Sequence, residues 1–277
     1  MGRVRTFGSG LAVLVAIVAM VVALPALWTH ERIVDRQGFV AFVEPMAHDR
    51  QIQDLIADEL TRQITDQTSA PEILVAPATQ RYTRSDLFPP DFADVLGQQH
   101  DFLFTEPTTD AERSNVLELD LTDMVNRVVQ RFGLPSSIRV DGPIRIPLGE
   151  SQRSGLEAGR YAHTGDQVTR TGWLALAVAI VAALLALVIA RRRGVTLAML
   201  GVGAVISGAV SWGATGILRD RALDEFSGTD SSPRQVARII LDRAGDDLQH
   251  TALITGGVGI AVIAVGVLSS LVLERRR

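Results

Sequence analysis

Hydrophobic positions fall into two regimes along this chain. In four runs, residues 6–29, 171–190, 194–218 and 248–273, no Asp, Glu or Arg interrupts 20 to 26 consecutive residues. Each run meets the roughly 20 apolar residues that a helix needs to cross the hydrocarbon core. Between and after the runs, apolar residues recur at helical spacing instead. Ile52, Leu55, Ile56, Leu60 and Ile64 predict an amphipathic helix after a break at His48-Asp49. Leu121, Met124, Val125, Val128, Val129 and Phe132 form a second stripe, with Asp120 or Thr122 as its cap and Gly133 then Pro135 as its stop. Pro71, Pro77, Pro89, Pro90 and Pro107 predict loop with short helical pieces across the intervening forty residues. The alternation over 137–148, around Asp141-Gly142, predicts a β-hairpin. A helix from about Ser151 should lead into the second run. Pro233 should open another, carrying Val236, Ile239, Ile240, Ala244 and Leu248 straight into the fourth.

The fold class that follows is membrane α: four transmembrane helices with a mainly helical extracytoplasmic domain between spans one and two. The expected boundaries are a tail at 1–6, spans at 7–28, 171–190, 194–218 and 251–273, the domain at 29–170, a turn at 191–193, a helical loop at 219–250 and a tail at 274–277. The first run is too long for the apolar core of a signal peptide and lacks a well-spaced small-residue cleavage site, which predicts an uncleaved anchor.

Charge sets the expected orientation. Arg3 and Arg5, then Arg191, Arg192 and Arg193, then Arg275, Arg276 and Arg277 flank the runs on one side, with Glu274 the only acid among them. The positive-inside rule puts that side, and both termini, in the cytoplasm of a plasma-membrane protein. Residues 31–170 carry 14 Arg against 23 Asp or Glu, and Trp28, Trp173 and Trp212 fall near the other ends of the runs, where amphipathic rings prefer to sit.

Composition removes whole classes of chemistry. All 27 basic residues are arginine and there is no cysteine. Thiolate nucleophiles, disulfides, Cys-based metal sites, Schiff bases and a Walker A phosphate grip are therefore excluded. No HExxH, GxSxG or GxGxxG occurs. The pairs His48-Asp49 and His100-Asp101 read as surface or helix-capping pairs, and Asp58-Glu59 and Asp246-Asp247 as solvated helix faces. No catalytic residue, cofactor or metal ligand is assigned, and no nucleic-acid partner is expected. The bilayer is the expected environment, together with a membrane or envelope protein partner.

The stretches AFVEPMAHDRQIQDLIADELTRQI, VLELDLTDMVNRVVQRFGLP and VARIILDRAGDDLQ, with the RRR turn, make the chain resemble a group of uncharacterised four-span integral membrane proteins. That group is common in high-GC Gram-positive bacteria. Residues 70–112 depart most from its pattern, lacking its Trp and its Ala-His after the third outer helix. The resemblance implies architecture and no activity.

Membrane helices lacking ionisable groups at depth make a poor solo permease. Their small residues point to close packing instead: Ala204 with Gly208, Ser207 with Ser211, and Ala209 with Gly213 lie at i,i+4 spacing. Ala204, Gly208, Ser211 and Gly213 are accordingly the candidate helix-packing or partner interface. The expected role is a non-catalytic envelope-facing interaction or accessory subunit. The alternatives are an extracytoplasmic ligand or envelope-stress sensor and, more weakly, an envelope-polymer hydrolase.

Overall fold

A computed structural model of the chain describes residues 2–68, 70–109, 118–134, 144–147, 158–225 and 231–275. The chain divides into two compact units. One comprises residues 1–31, 166–222 and 242–277, and the other residues 32–165 and 223–241.

The first unit holds four helices long and apolar enough to cross a membrane. They lie within α1 (Gly2–Thr29), α7 (Ala162–Ile189), α8 (Arg193–Glu225) and α9 (Ser231–Arg275). Large aliphatic side chains such as Leu14, Val181, Val210 and Leu268 point outward, whereas alanine, glycine and serine fill the interior. That inversion of the soluble pattern is what lipid demands. Outside and inside are equally apolar, so close backbone approach and dispersion hold the helices together. Val13 and Ala16 of α1 pack with Ala182 and Ala186 of α7 and Leu200 of α8. Buried hydroxyls add sparse polar ties. The Ser9 hydroxyl donates to the Ala186 carbonyl at 3.3 Å, and the Ser207 hydroxyl to the Met20 carbonyl at 2.8 Å.

The second unit is a helical domain. The chain leaves α1 through a π-helical turn (His30–Val34), then forms α2 (Arg36–Val43), a 3-10 turn (Glu44–His48) and α3 (Arg50–Thr68). Asp35 caps α2 through the Gly38 amide, and Asp49 caps the start of α3 through the Gln51 amide. The expected break at His48-Asp49 is therefore a cap. The expected loop over the next forty residues is instead two full helices, α4 (Glu72–Thr83) and α5 (Phe88–Phe104). Pro89 and Pro90 occupy the first turn of α5, where a missing amide costs no hydrogen bond. Pro77 stands inside α4 and forfeits one. Packing compensates, since Val75, Ala78 and Tyr82 of α4 are buried in the domain core.

α6 (Thr122–Arg131) follows, with its apolar stripe inward: Leu121, Met124, Val125 and Val128 are buried. Asp120 accepts from the Thr122 amide at 3.0 Å, and Gly133 at φ +86° terminates the helix in the left-handed region. Of the expected hairpin only part of the second arm is described. Its second arm, β2 (Arg145–Pro147), runs antiparallel to β1 (Glu118–Asp120), with α6 between them in sequence. The hairpin's turn and first arm lie outside the described residues. So does Ser151, but residues 158–161 form a turn with Gly159 at φ +71°, so the helix that enters the second run begins at Ala162 and not near Ser151. α9, as expected, runs unbroken from the polar link into the fourth apolar stretch. Ile239 and Ile240 pack on the domain core, and Leu248 and Ala252 are buried among the apolar helices.

Candidate functional site

The small residues of α8 do not act as one face. Gly208 is occupied: a methyl group there would stand 2.6 Å from the carbonyl oxygen of Ala252 on α9. Gly213 has open space around it, with nothing within 4 Å of the same position. Ala204 is half-buried one turn from Gly208, and Ser211 is fully buried. Among the described residues the Ser211 hydroxyl meets no hydrogen-bond partner. Ser207 faces α1, so the pairs expected at i,i+4 spacing divide among an α9 contact, an α1 contact and an open side.

A longer period governs the α8–α9 contact. Gly194 meets Gly266, Gly201 meets Gly259, Gly208 meets Ala252 and Thr215 meets Gly245. The pairing advances by seven on one helix as it retreats by seven on the other. Added methyl groups at Gly194, Gly201 and Gly208 would lie 2.6 to 2.7 Å from facing carbonyl oxygens, and one at Gly245 would lie 3.0 Å from the Thr215 methyl. A seven-residue repeat keeps one seam facing its partner, as in coiled coils. Three such intervals at 1.5 Å per residue extend about 31 Å, the thickness of a hydrocarbon core. α8 and α9 therefore pack antiparallel along one seam, from Gly194 to Thr215 on α8 and from Gly245 to Gly266 on α9. The signal was present in sequence as glycines seven apart in two neighbouring runs.

α1 is tied to its neighbours at the tryptophan-bearing end as well. The Trp28 indole donates to Asp247 at 2.8 Å, and Thr169 and His30 share a hydrogen bond at 2.9 Å. Trp28 is buried, so of the three tryptophans only Trp173 and Trp212 present exposed rings. Asp247, expected on a solvated face, serves as the acceptor for Trp28.

Among the described residues of the helical domain, one buried carboxylate, Asp91, bears no motif in the sequence. Asp91, only 7% exposed, accepts from the Tyr82 hydroxyl at 2.7 Å and pairs with Arg127 Nε at 2.9 Å. It thereby joins α4, α5 and α6. Burial pushes the Tyr82 phenol above the ordinary tyrosine range, and its hydrogen bond to the Asp91 carboxylate pushes it the same way. Aromatic rings surround the tyrosine edge-on, Phe88 at 5.8 Å and Phe132 at 5.5 Å between centroids. The site is a cross-brace between helices.

His100 is buried, contrary to the surface pairing expected for it. Its ring stacks on Phe104 at 4.6 Å and lies 5.0 Å from Phe39. Nε2 lies 2.9 Å from the Ile33 carbonyl, so it carries the proton and donates. Its neighbour Asp101 lies 3.7 Å from Nδ1 and pairs with Arg36 of α2 at 2.8 Å, which raises the arginine's pKa. Glu59 of the acidic doublet accepts from Arg62 and Gln63 on its own helix. Among the described residues no three His, Asp or Glu side chains converge as metal ligands would.

Apolar exposure in this domain is concentrated at the start of α4, where Ile73 is 81% and Leu74 52% exposed. Among the described residues, the domain's other large apolar side chains are buried or half-buried, many of them around Tyr82, Phe88 and Ile64. Comparison of the chain with family profiles, with curated proteins and with solved structures finds no match.

Proposed function

We propose that the chain is a multi-pass plasma-membrane protein whose termini face the cytoplasm and whose helical domain lies outside the membrane. It serves there as a non-catalytic interaction or accessory subunit, in the manner of the four-span group its sequence resembles. The observation that carries this reading is the Ile73–Leu74 pair. Two adjacent large aliphatic side chains stand exposed there, while the other large apolar side chains described in the domain are buried or half-buried, which supports a contact surface. Two buried polar side chains are engaged in bracing, Asp91 with Tyr82 and Arg127 and His100 with Ile33. The arginine flanks support the orientation.

Gentle solubilisation of tagged full-length protein, with identification of co-purifying subunits, tests the role. Ile73→Ser with Leu74→Ser should lower recovery of the partner at unchanged protein level. Equal recovery would remove the domain surface from the interaction. Gly213→Leu probes the open side of α8 cleanly, whereas Gly208→Leu also forces α8 from α9 and reports on folding first. Reporter fusions after Arg193 should read cytoplasm and fusions at residues 90–110 the outside. A cytoplasmic signal at residue 100 would reverse the arrangement.

A further inference from the structure

Arginines from three distant stretches of chain arrive at one end of the four-helix unit. Ser9 binds the Ala186 carbonyl, so the first turns of α1, with Arg3 and Arg5, run beside the last turn of α7. Gly194 lies against Gly266, Ser269 and Ser270, so the last turns of α9 run past the start of α8. At 1.5 Å per residue, Arg5 is about 6 Å along the axis from Ser9 and Arg275 about 7.5 Å from Ser270, and Arg191–Arg193 form the corner between the end of α7 at Ile189 and the start of α8. Each anchor is thus followed by arginine. Arg191, Arg192 and Arg193 are exposed, and among the described residues none is paired with a carboxylate. In sequence Arg276 and Arg277 follow directly, and Glu274 is the only acid in these flanks.

Orientation alone would be served by arginines scattered over the flanks. Here the Ser9–Ala186 tie and the glycine seam hold the helix ends that carry the arginines at one end of the unit. A guanidinium presents a planar fork that matches phosphate oxygens two at a time. Located where an apolar stretch ends, such a cluster meets lipid phosphates first.

We propose that this end binds anionic phospholipid headgroups through their phosphodiesters, centred on the Arg191–Arg192–Arg193 corner and completed by the ends of α1 and α9. The proposal rests on the membrane reading and not on which side the arginines face.

The test uses full-length protein in nanodiscs of phosphatidylcholine with or without phosphatidylglycerol, read by thermal unfolding and by native mass spectrometry of retained lipid. Phosphatidylglycerol should be retained in preference to phosphatidylcholine, raise the melting temperature and lose its effect at high salt. Near a membrane surface each arginine is worth about fivefold in affinity. Arg192→Gln should therefore weaken retention about fivefold, and R191Q/R192Q/R193Q on the order of a hundredfold. The single variant keeps the other arginines to hold orientation should the triple one insert wrongly. Equal retention of the two lipids, or unchanged retention in both variants, overturns the proposal. So does inorganic phosphate stabilising as well as phosphatidylglycerol, because the site would then take a free anion. Failure of the protein to enter discs at all would instead overturn the membrane reading itself.

Discussion

Replacing Gly201 by alanine adds one methyl group at the centre of the α8–α9 seam. That methyl would stand 2.7 Å from the Gly259 carbonyl oxygen and 2.8 Å from both the Ile263 amide nitrogen and its Cγ1. Two of these neighbours are backbone, which cannot swing aside as a side-chain tip can. Carbon atoms make favourable contact near 3.5–4.0 Å, so the helices must part by several tenths of an ångström or more. Separation is felt beyond the mutated layer, because Gly194, Gly208 and Gly245 lie on the same seam and lose contact together. Overpacking of this kind costs about 1–3 kcal/mol. Alanine's better helix propensity returns about 0.8–1.0 kcal/mol where the aqueous scale applies, leaving a net loss of about 0–2 kcal/mol. Gly213→Ala is the matched control: the same propensity gain meets open space, so stability should hold or rise. Unfolding of the two proteins in the same detergent, followed by helical circular dichroism, measures the difference. If Gly201→Ala proves no less stable than Gly213→Ala, the seam is not a close-packed contact.

Three further outcomes follow from the domain. The Tyr82 phenol has a higher pKa folded than unfolded, so its contribution is full below about pH 10 and fades as pH rises through the folded value. Domain stability should fall above pH 10 by up to about 1.4 kcal/mol per pH unit, and Tyr82→Phe should flatten that slope; a slope unchanged in the variant would refute the assignment. Two tyrosines and no lysine leave few other groups titrating there. Asp91→Asn weakens a charge-assisted pair with Arg127 and should cost about 1.5–3 kcal/mol by chemical denaturation, with a loss under 0.5 counting against the brace. His100→Ala removes a buried ring from between Phe39 and Phe104 and should cost about 2–4 kcal/mol by thermal melt, whereas His48→Ala on the exposed 3-10 turn should cost almost nothing.

The four apolar helices were legible because an absence of charge over twenty residues is a coarse, one-dimensional signal. The α6 stripe and its Gly133 stop were legible for the same reason, since period and cap both lie within a dozen residues. What escaped depended on partners remote in sequence. Proline counting turned α4 and α5 into loop, although Pro89 and Pro90 stand where helices accept proline and the core holds Pro77 in place. The acceptor of the Trp28 indole, Asp247, lies over two hundred residues away and has no local signal. His100 read as half of a local pair when its partner is the Ile33 carbonyl. The candidate interface showed both sides of this limit. Spacing within one helix picked Ala204, Gly208, Ser211 and Gly213, but only the facing helix reveals that Gly208 is filled and Gly213 open.

The unbroken α9 has a consequence for how the molecule is made. Ile239 and Ile240 on its leading turns complete the packing around Ile64, Val75 and Tyr82, yet they follow the end of the domain's main stretch at residue 165 by about 75 residues. A ribosome moving at roughly 5–20 residues per second needs about 4–15 s to reach them. Through that interval two further apolar segments emerge while part of the domain's apolar surface waits uncovered. Maturation of the domain is thus timed by completion of the polytopic chain, and arrest before residue 240 would leave an unfinished core for chaperones and proteases to find.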